Sequence, residues 1–526
     1  MTAPARPRGG ADDGAGTAPT TSGGGAVRPD RLATTTAALV AAAVVVAAGV
    51  AFRLYTRSDL WLDEALSVNI ARLDPGDLVD ALARDGHPPL YYLLLHGWMA
   101  LFGDGDVAVR ALSGVFGVAA LPLAYLVGRR LGGERAGLAT LLLLAASPFA
   151  VRYATETRMY SMVMVLVLAG WLALRAALER PTPARLALVG LLGGLLALTH
   201  YWAIYLLAAT ALVLAAGWRR GAPHAGRALV GLAASAVVFL PWLPTFLEQA
   251  GSTGTPWGRP ERPSVVVMVS LTDWGGGPNA EAQLVGIALL ILVGVALFGR
   301  PVDGETLALD VRTRPGVRAE VAIAALTLLL AVAAGYATSS AFASRYTATI
   351  FPIVVVVAGY GISRLPGRAL LPVLVPVLVL SAIGDVRNLV TQRTQAGEVA
   401  AYIVDHGRPG DVVAYCPDQL GPAVSRLLPT DRVQRTFPAG GDPAFVDWVD
   451  YAEKQEAGDP EAFARDLLDR AGEATIWLVW EAGYRTLGTR CEDLGNALAR
   501  LRPAVAVVSS GDTFEHAVLY QYGPGR

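Results

Sequence analysis

The segment best equipped for chemistry is Asp59-Leu60-Trp61-Leu62-Asp63-Glu64-Ala65, where three carboxylates stand among apolar and aromatic side chains. A carboxylate beside apolar surface feels a reduced dielectric, which tunes it toward a general base able to take a proton from a hydroxyl. The competing reading is a solvated acidic turn. Further along the chain, Glu156 and Arg158 lie two residues apart in an apolar neighbourhood, close to Tyr160. His200-Tyr201-Trp202 and Ser344-Arg345-Tyr346 follow. Arginine can hold phosphate oxygens in a bidentate fork, but one at a helix end can equally snorkel to headgroups. Trp61, Tyr160, Trp202, Trp257 and Trp274 could pack on the C–H-rich face of a sugar, and they suit a membrane interface just as well.

Membrane helices must position these residues. Of 526 residues, 53% are hydrophobic and 17% charged, and the mean hydropathy is +0.45, too apolar for an ordinary soluble chain. Apolar blocks long enough to cross a bilayer fall near 32–52, 107–128, 136–151, 159–178, 186–200, 201–217, 228–247, 281–299, 319–338, 345–363 and 369–385. The first is too long for a signal-peptide core and no cleavage site follows it, so it reads as an uncleaved span. A further stretch, 87–103, is short, opens on His87-Pro88-Pro89 and carries Tyr91, Tyr92, His96 and Trp98, a decoration suited to the interface. If it lies on the surface, the arginine clusters at 129–135, 180–185, 219–227, 300–318 and 364–368 all fall on the side of the N-terminus. If it spans, they move to the other side. The positive-inside rule selects the first arrangement: eleven spans in the cell (inner) membrane, N-terminus cytoplasmic, C-terminus outside. The outer face then holds a first loop at 53–106, turns near 152–158, 200–202 and 339–345, a loop at 248–280 with a surface helix near Val265–Leu271, and all that follows 386.

Three regions result. Residues 1–30, rich in Gly, Ala, Pro, Thr and Asp, read as a disordered cytoplasmic tail. Residues 31–387 form the polytopic α-helical part, and 388–526 a small extracytoplasmic α/β domain. In that domain β-rich runs at Val412–Cys416, Thr475–Trp480, Ala504–Val508 and Ala517–Tyr520 alternate with helical stretches near 393–406, 460–471 and 487–501. Cys416 and Cys491 share its compartment, so a disulfide fits, as do two buried thiols. No glycine-rich dinucleotide turn, no zinc spacing and no basic, aromatic-interleaved stretch is present, so neither nucleotide nor nucleic acid is an expected partner.

In order, L-W-L-D-E-A (60–65), H-P-P-L-Y-Y (87–92), L-F-G-x-x-x-x-A-V-R (101–110), G-R-R-L-G-G (128–133), A-T-E-T-R-M-Y (154–160), L-T-H-Y-W (198–202) and S-R-Y-T (344–347) resemble the bacterial relatives of the dolichyl-phosphate-mannose protein mannosyltransferases. These belong to glycosyltransferase family 39, the aminoarabinose-transferase-like group of the type C glycosyltransferases. The resemblance implies the type C fold with juxtamembrane helices, 87–103 being one that lines a donor cavity. It also implies a polyprenyl-phosphate sugar as donor, mannose first among the sugars considered, and a hydroxyl acceptor on a lipid, glycan or protein.

By that resemblance Asp63 is the catalytic base, with Glu64 beside it to position an acceptor or a metal. Arg158, Arg345 and His87 become the donor-phosphate ligands. His87 departs from the family, some members of which carry lysine there. Glu156, Tyr160, His200, Tyr201, Trp61 and Tyr346 are the substrate-binding candidates. Displacement of the carrier phosphate by the acceptor oxygen would invert the anomeric centre. No cofactor is assigned; a divalent metal at Asp63 and Glu64 stays open, with no ligand set for it visible in the sequence. The alternative, a transporter or lipid flippase, predicts ionisable residues near the bilayer midplane, whereas here the charges gather at the rim.

Overall fold

The computed structural model describes residues 29–253, 258–303, 305–482 and 486–524, with side chains from residue 36 onward. The tail expected over 1–30, except its last two residues, and Trp257 lie outside them. The chain divides into two compact units, Met1–Val44 and Val45–Arg526, and the packing described below lies within the second.

Ten helices open the described chain: α1 Pro29–Phe52, α2 Leu62–Ala71, α3 Pro75–Asp85, α4 Leu90–Phe102, α5 Asp106–Gly132, α6 Glu134–Ala145, α7 Pro148–Ala154, α8 Tyr160–Glu179, α9 Pro183–Ala197 and α10 Trp202–Arg219. Longer apolar helices follow at Ala225–Ser252, Ala280–Phe298, Arg318–Thr338 and Gly367–Val390. Among the described residues seven helices are long and apolar enough to cross a membrane, or up to eight if α6 and α7 count as one bent span. The other expected spans are shorter apolar helices, Thr36–Phe52, Pro183–Ala197 and Phe351–Arg364. The 87–103 stretch is α4, only 13 residues long, and Val265–Leu271 lies within the helix Pro263–Trp274.

Two expected spans are corrected. The block at 136–151 bends by 57° between α6 and α7. Ser147 caps α7 and Pro148 opens it, so the helix restarts there. Backbone carbonyls freed by such a break need partners where water is scarce. Arg53 supplies them, donating to Leu144 O (2.5 Å) and Ala145 O (2.8 Å). The block at 345–363 becomes helical only from Phe351, with Pro352 in its first turn, and Ser344–Thr349 is a 3-10 turn. That turn carries Arg345 and Tyr346 away from the helical ladder. The bundle is drawn tight by small residues: a Cβ on Gly128 of α5 would lie 2.9 Å from Ala136 O of α6.

Because the helices alternate in direction, their connections sort to two ends. At one end Arg130 pairs with Glu179 (2.5 Å), Arg135 donates to Leu365 O and Arg368 pairs with Glu305. The other end gathers α2, α3, the 155–159 turn, 198–202, Ser344–Thr349 and the chain after Val390.

The C-terminal region forms a five-stranded sheet in the order Val433–Thr436, Val412–Cys416, Ile476–Trp480, Val518–Tyr522, Ala504–Val508. The first three strands are parallel and the last two pair antiparallel. Helices Ala396–His406, Pro460–Ala471 and Arg490–Ala499 match the helical stretches read from the sequence. Cys416 and Cys491 are disulfide-bonded. The edge strand Val433–Thr436 had no forecast, since V-Q-R-T is short and polar on an exposed edge.

Candidate functional site

α2 starts directly after the first membrane helix and carries Asp63 and Glu64 in its first turn, where the helix dipole favours negative charge. Consecutive helical residues diverge by about 100°, so the two carboxylates face different surroundings. Glu64 points into protein. It is fully buried in a bidentate pair with Arg110 (Nε to Oε1 2.7 Å, Nη2 to Oε2 2.6 Å) and accepts from Thr157 N at 2.9 Å. Burial alone would raise its carboxyl, but Arg110, then Arg393 and the Thr157 amide, outweigh that and hold it below the ordinary carboxylate range. The acidic residues nearest Arg110 in sequence are engaged elsewhere. Asp104 pairs with Arg72 and Asp106 with Arg426.

Asp63 faces a cavity of about 640 Å³. Nine of the eleven residues singled out above line it: Trp61, Asp63, His87, Arg158, Tyr160, His200, Tyr201, Arg345 and Tyr346. Asp63 Oδ2 is buried with no hydrogen-bond partner, and the nearest cation is Arg345, whose Nη2 lies 3.5 Å away. That contact is an ion pair too long for a good hydrogen bond. The Arg345 guanidinium sits 5.8 Å from the ring centroids of both Trp61 and Tyr346, a cation–π arrangement that keeps it over the cavity.

Arg158 is a different kind of cation. It is 2% exposed, and its terminal nitrogens are already committed, Nη1 to Ser67 Oγ (3.0 Å) and Tyr92 Oη (3.1 Å), Nη2 to His87 Nε2 (2.8 Å). Arginine can only donate, so His87 Nε2 accepts and its Nδ1 carries the proton given to Asp85 Oδ2 at 2.7 Å. Arg158 is therefore a fixed charge in the cavity wall, braced by His87 and by two groups, Ser67 and Tyr92, that the sequence did not assign to the site. Across from it, His200 Nδ1 accepts from Trp202 N (3.1 Å), which leaves the proton on Nε2. Burial, with Arg158 and Arg345 adding to it, holds this imidazole well below its usual range, so it is neutral. The Tyr160 hydroxyl is buried without a partner. That of Tyr201 is occupied, donating to Gln249 Oε1 and accepting from Trp242 Nε1 (2.8 Å).

Glu156 belongs elsewhere. It lines a second cavity of about 580 Å³ together with Arg152, Asp273 and Arg387. Oε2 is 3.1 Å from Arg152 Nε and 3.9 Å from the buried Arg393, while Oε1 has no partner. Burial, reinforced by Glu64 and Asp63 against the two arginines, raises its carboxyl above the ordinary range. Trp61, Arg345 and Phe514 line both cavities and so form the wall between them. Phe514 and Trp448 enter the site from the C-terminal region without any local sequence signal.

Among the described residues no group of three or more His, Cys, Asp or Glu side chains is placed to hold a metal ion. With Glu64 turned into Arg110, the Asp63–Glu64 pair does not fit as a chelate.

Fold and site together define a polytopic α-helical protein with the type C glycosyltransferase fold and a small C-terminal α/β region. Residues 86–244 match the family described as dolichyl-phosphate-mannose-protein mannosyltransferase, which the chain therefore resembles over that stretch. The fold is similar to that of ArnT from Cupriavidus metallidurans in the apo state, with a TM-score of 0.58 at 15% identity over 93% of this chain and 98% of that one. The same protein bound to undecaprenyl phosphate gives 0.57 at 15% identity over 92% and 98%. The Archaeoglobus fulgidus oligosaccharyltransferase in complex with zinc and sulfate gives 0.50 at 10% identity over 92% and 73%. At these identities the likeness is one of fold. No curated protein matches the chain in sequence.

Proposed function

We propose that the chain is a membrane glycosyltransferase that moves a sugar from a polyprenyl-phosphate carrier to an acceptor hydroxyl, with Asp63 as base. The observation that carries this is a buried carboxylate oxygen without a hydrogen-bond partner, Asp63 Oδ2, held 3.5 Å from Arg345 in a cavity of about 640 Å³. The family match and the fold shared with ArnT, which has been solved with undecaprenyl phosphate, support the choice of donor.

The acceptor oxygen attacks the anomeric carbon as Asp63 takes its proton, and the bond from that carbon to the phosphate oxygen breaks. The carrier leaves as a phosphate monoester, having gained negative charge, and the sugar is inverted. Arg345 meets the growing charge, since its guanidinium is not saturated by protein partners, while Arg158 contributes a fixed positive potential. His200 offers Nε2–H, and Tyr160 its hydroxyl, to sugar or phosphate oxygens. Trp61 and Tyr346 give aromatic faces for the sugar. His87 acts by holding Arg158, and Glu64 by anchoring α2 to Arg110. Mannose is the first donor to test. The acceptor is a lipid, glycan or protein hydroxyl of the cell envelope.

The arginine-rich connections all lie at the end of the bundle away from the site. By the positive-inside rule the site then opens outside the inner membrane, with the N-terminus cytoplasmic. Residues 31–387 form the transferase part in this reading, and 388–526 an extracytoplasmic domain that closes one wall of the site.

The test follows transfer of radiolabel from polyprenyl-phosphate mannose into a membrane extract, comparing the purified wild type with Asp63→Asn. Transfer by the wild type that disappears in a folded mutant supports the reading. Transfer at the wild-type rate in the mutant removes Asp63 as base. If neither protein transfers label, mass spectrometry of lipids co-purifying with the wild type identifies another donor or rejects the class.

A further inference from the structure

The first turn of α2 carries Asp63, yet its own N-cap residue, Trp61, offers no side-chain hydrogen bond to it. The acceptor comes from the far end of the chain: Leu62 N donates to Glu515 Oε1 at 3.0 Å. Glu515 is pinned by its backbone, its N–H donating to Arg393 O (2.8 Å) and its carbonyl accepting from Gln395 N (3.0 Å). Beside it Phe514 sets its ring against Trp61 at 89°, with centroids 5.1 Å apart, and lines both cavities. Asp512 and Thr513 complete the segment and line the second cavity. One short stretch therefore touches the leading amide of α2, the residue before it and the wall between the cavities.

A helix of ten residues has little intrinsic stability, and its first turn, with amides lacking helical partners, frays most readily. A base displaced by about 1 Å can lose on the order of 100-fold in rate. We propose that Glu515 is a positioning residue for Asp63: it caps α2 from the C-terminal region and, with Phe514 against Trp61, holds the carboxylate in register with Arg345. This rests on the reading of Asp63 as base. Glu515 itself makes and breaks no bond.

Three variants of the full chain in detergent test it. Glu515→Gln keeps an acceptor oxygen at the same reach, and Glu515→Asp withdraws it by one methylene. Tyr522→Phe removes another hydrogen bond of the C-terminal region, Tyr522 Oη to Gly495 O at 3.1 Å, which does not involve α2. Two readouts are taken, amide hydrogen exchange of the peptide covering 60–66 and the kinetics of sugar transfer. Glu515→Asp is expected to speed exchange in that peptide roughly 10-fold and to lower kcat roughly 10- to 100-fold, with KM for the acceptor little changed. Glu515→Gln and Tyr522→Phe are expected to match wild type in both.

Wild-type exchange in Glu515→Asp overturns the proposal, as does an equal loss of kcat in Tyr522→Phe. If the wild type shows no turnover at all, the exchange contrast decides alone. Its presence keeps the cap while the transferase reading fails, and its absence removes the cap.

Discussion

Asp63 and Glu64 are adjacent in sequence and chemically alike, yet one faces a cavity and the other closes a buried ion pair. Glu64→Gln should therefore cost stability before it costs chemistry. Breaking a buried pair from one side leaves Arg110 uncompensated, at about 3–5 kcal/mol, seen as a lowered midpoint for thermal unfolding in detergent. A variant of wild-type stability that has lost transfer would instead put Glu64 in the reaction. Arg345 should behave in the opposite way. Its ion pair is long and its side chain 22% exposed, so Arg345→Ala should leave the melting point near wild type and lower kcat about 100- to 1,000-fold. Arg345→Lys keeps the charge without the fork and should recover only part of that loss. A steady-state assay decides both. The motifs made Asp63, Arg158 and Arg345 legible because they sit next to apolar runs. Asp85, Ser67 and Tyr92, which brace Arg158 and His87, were not, because ordinary polar residues betray a partner only once the chain has folded.

At the scale of elements, the length of the apolar runs located the seven described helices long enough to cross a membrane, and alternation located four of the five strands of the C-terminal sheet. It could not foresee the bend at Ser147-Pro148, because a Ser-Pro step inside an apolar run shows as a break only when Arg53 is there to satisfy the freed carbonyls. Nor could it foresee that Glu515 caps a helix more than four hundred residues earlier. The long-range packing that hid these contacts leaves a trace in pH dependence. Burial pushes Asp418, which accepts from Tyr451 Oη, up to about 7, and Glu515 up to about 8. Both stay protonated in the folded chain after their unfolded counterparts have ionised near pH 4, so the unfolded state binds fewer protons and stability falls as pH rises from about 4 to 8. Each contributes at most about 1.4 kcal/mol per pH unit within its window. Glu64 acts with the opposite sign: its depressed carboxyl stabilises above its unfolded value and that contribution is lost as the pH falls through the folded one. The melting point should therefore peak near pH 4 and decline toward pH 8, and Glu515→Gln should flatten the decline. Melting curves across this range that show no difference between wild type and Glu515→Gln would rule out a neutral Glu515.

For the molecule as a whole, orientation is the property on which the proposed reaction depends, because in that reading a carrier phosphate must meet its acceptor on one side of the membrane. The sheet region and the site share one end of the bundle, and the arginine-rich connections share the other. Two exposed positions read the two ends. Val505 lies on the outermost strand of the C-terminal sheet, and Leu309 lies in the connection between Phe298 and Arg318, among Arg300, Arg312 and Arg314. The native cysteines are background-free for this purpose, since there are only two and both are buried in one disulfide. With a membrane-impermeant maleimide, Val505→Cys should label in intact cells from which any outer layer has been stripped. Leu309→Cys should label only after the membrane is permeabilised. The reverse pattern would place the arginine clusters outside and the cavity inside. Asp63 would then face cytoplasmic acceptors, and the extracytoplasmic transferase reading would fall even if transfer itself were observed. Labelling of both positions in intact cells would mean that one of the three helices between them, of which Phe351–Arg364 is the shortest, does not cross as the eleven-span arrangement requires, since an odd change in crossings between residues 309 and 505 is the only way to bring both to one side.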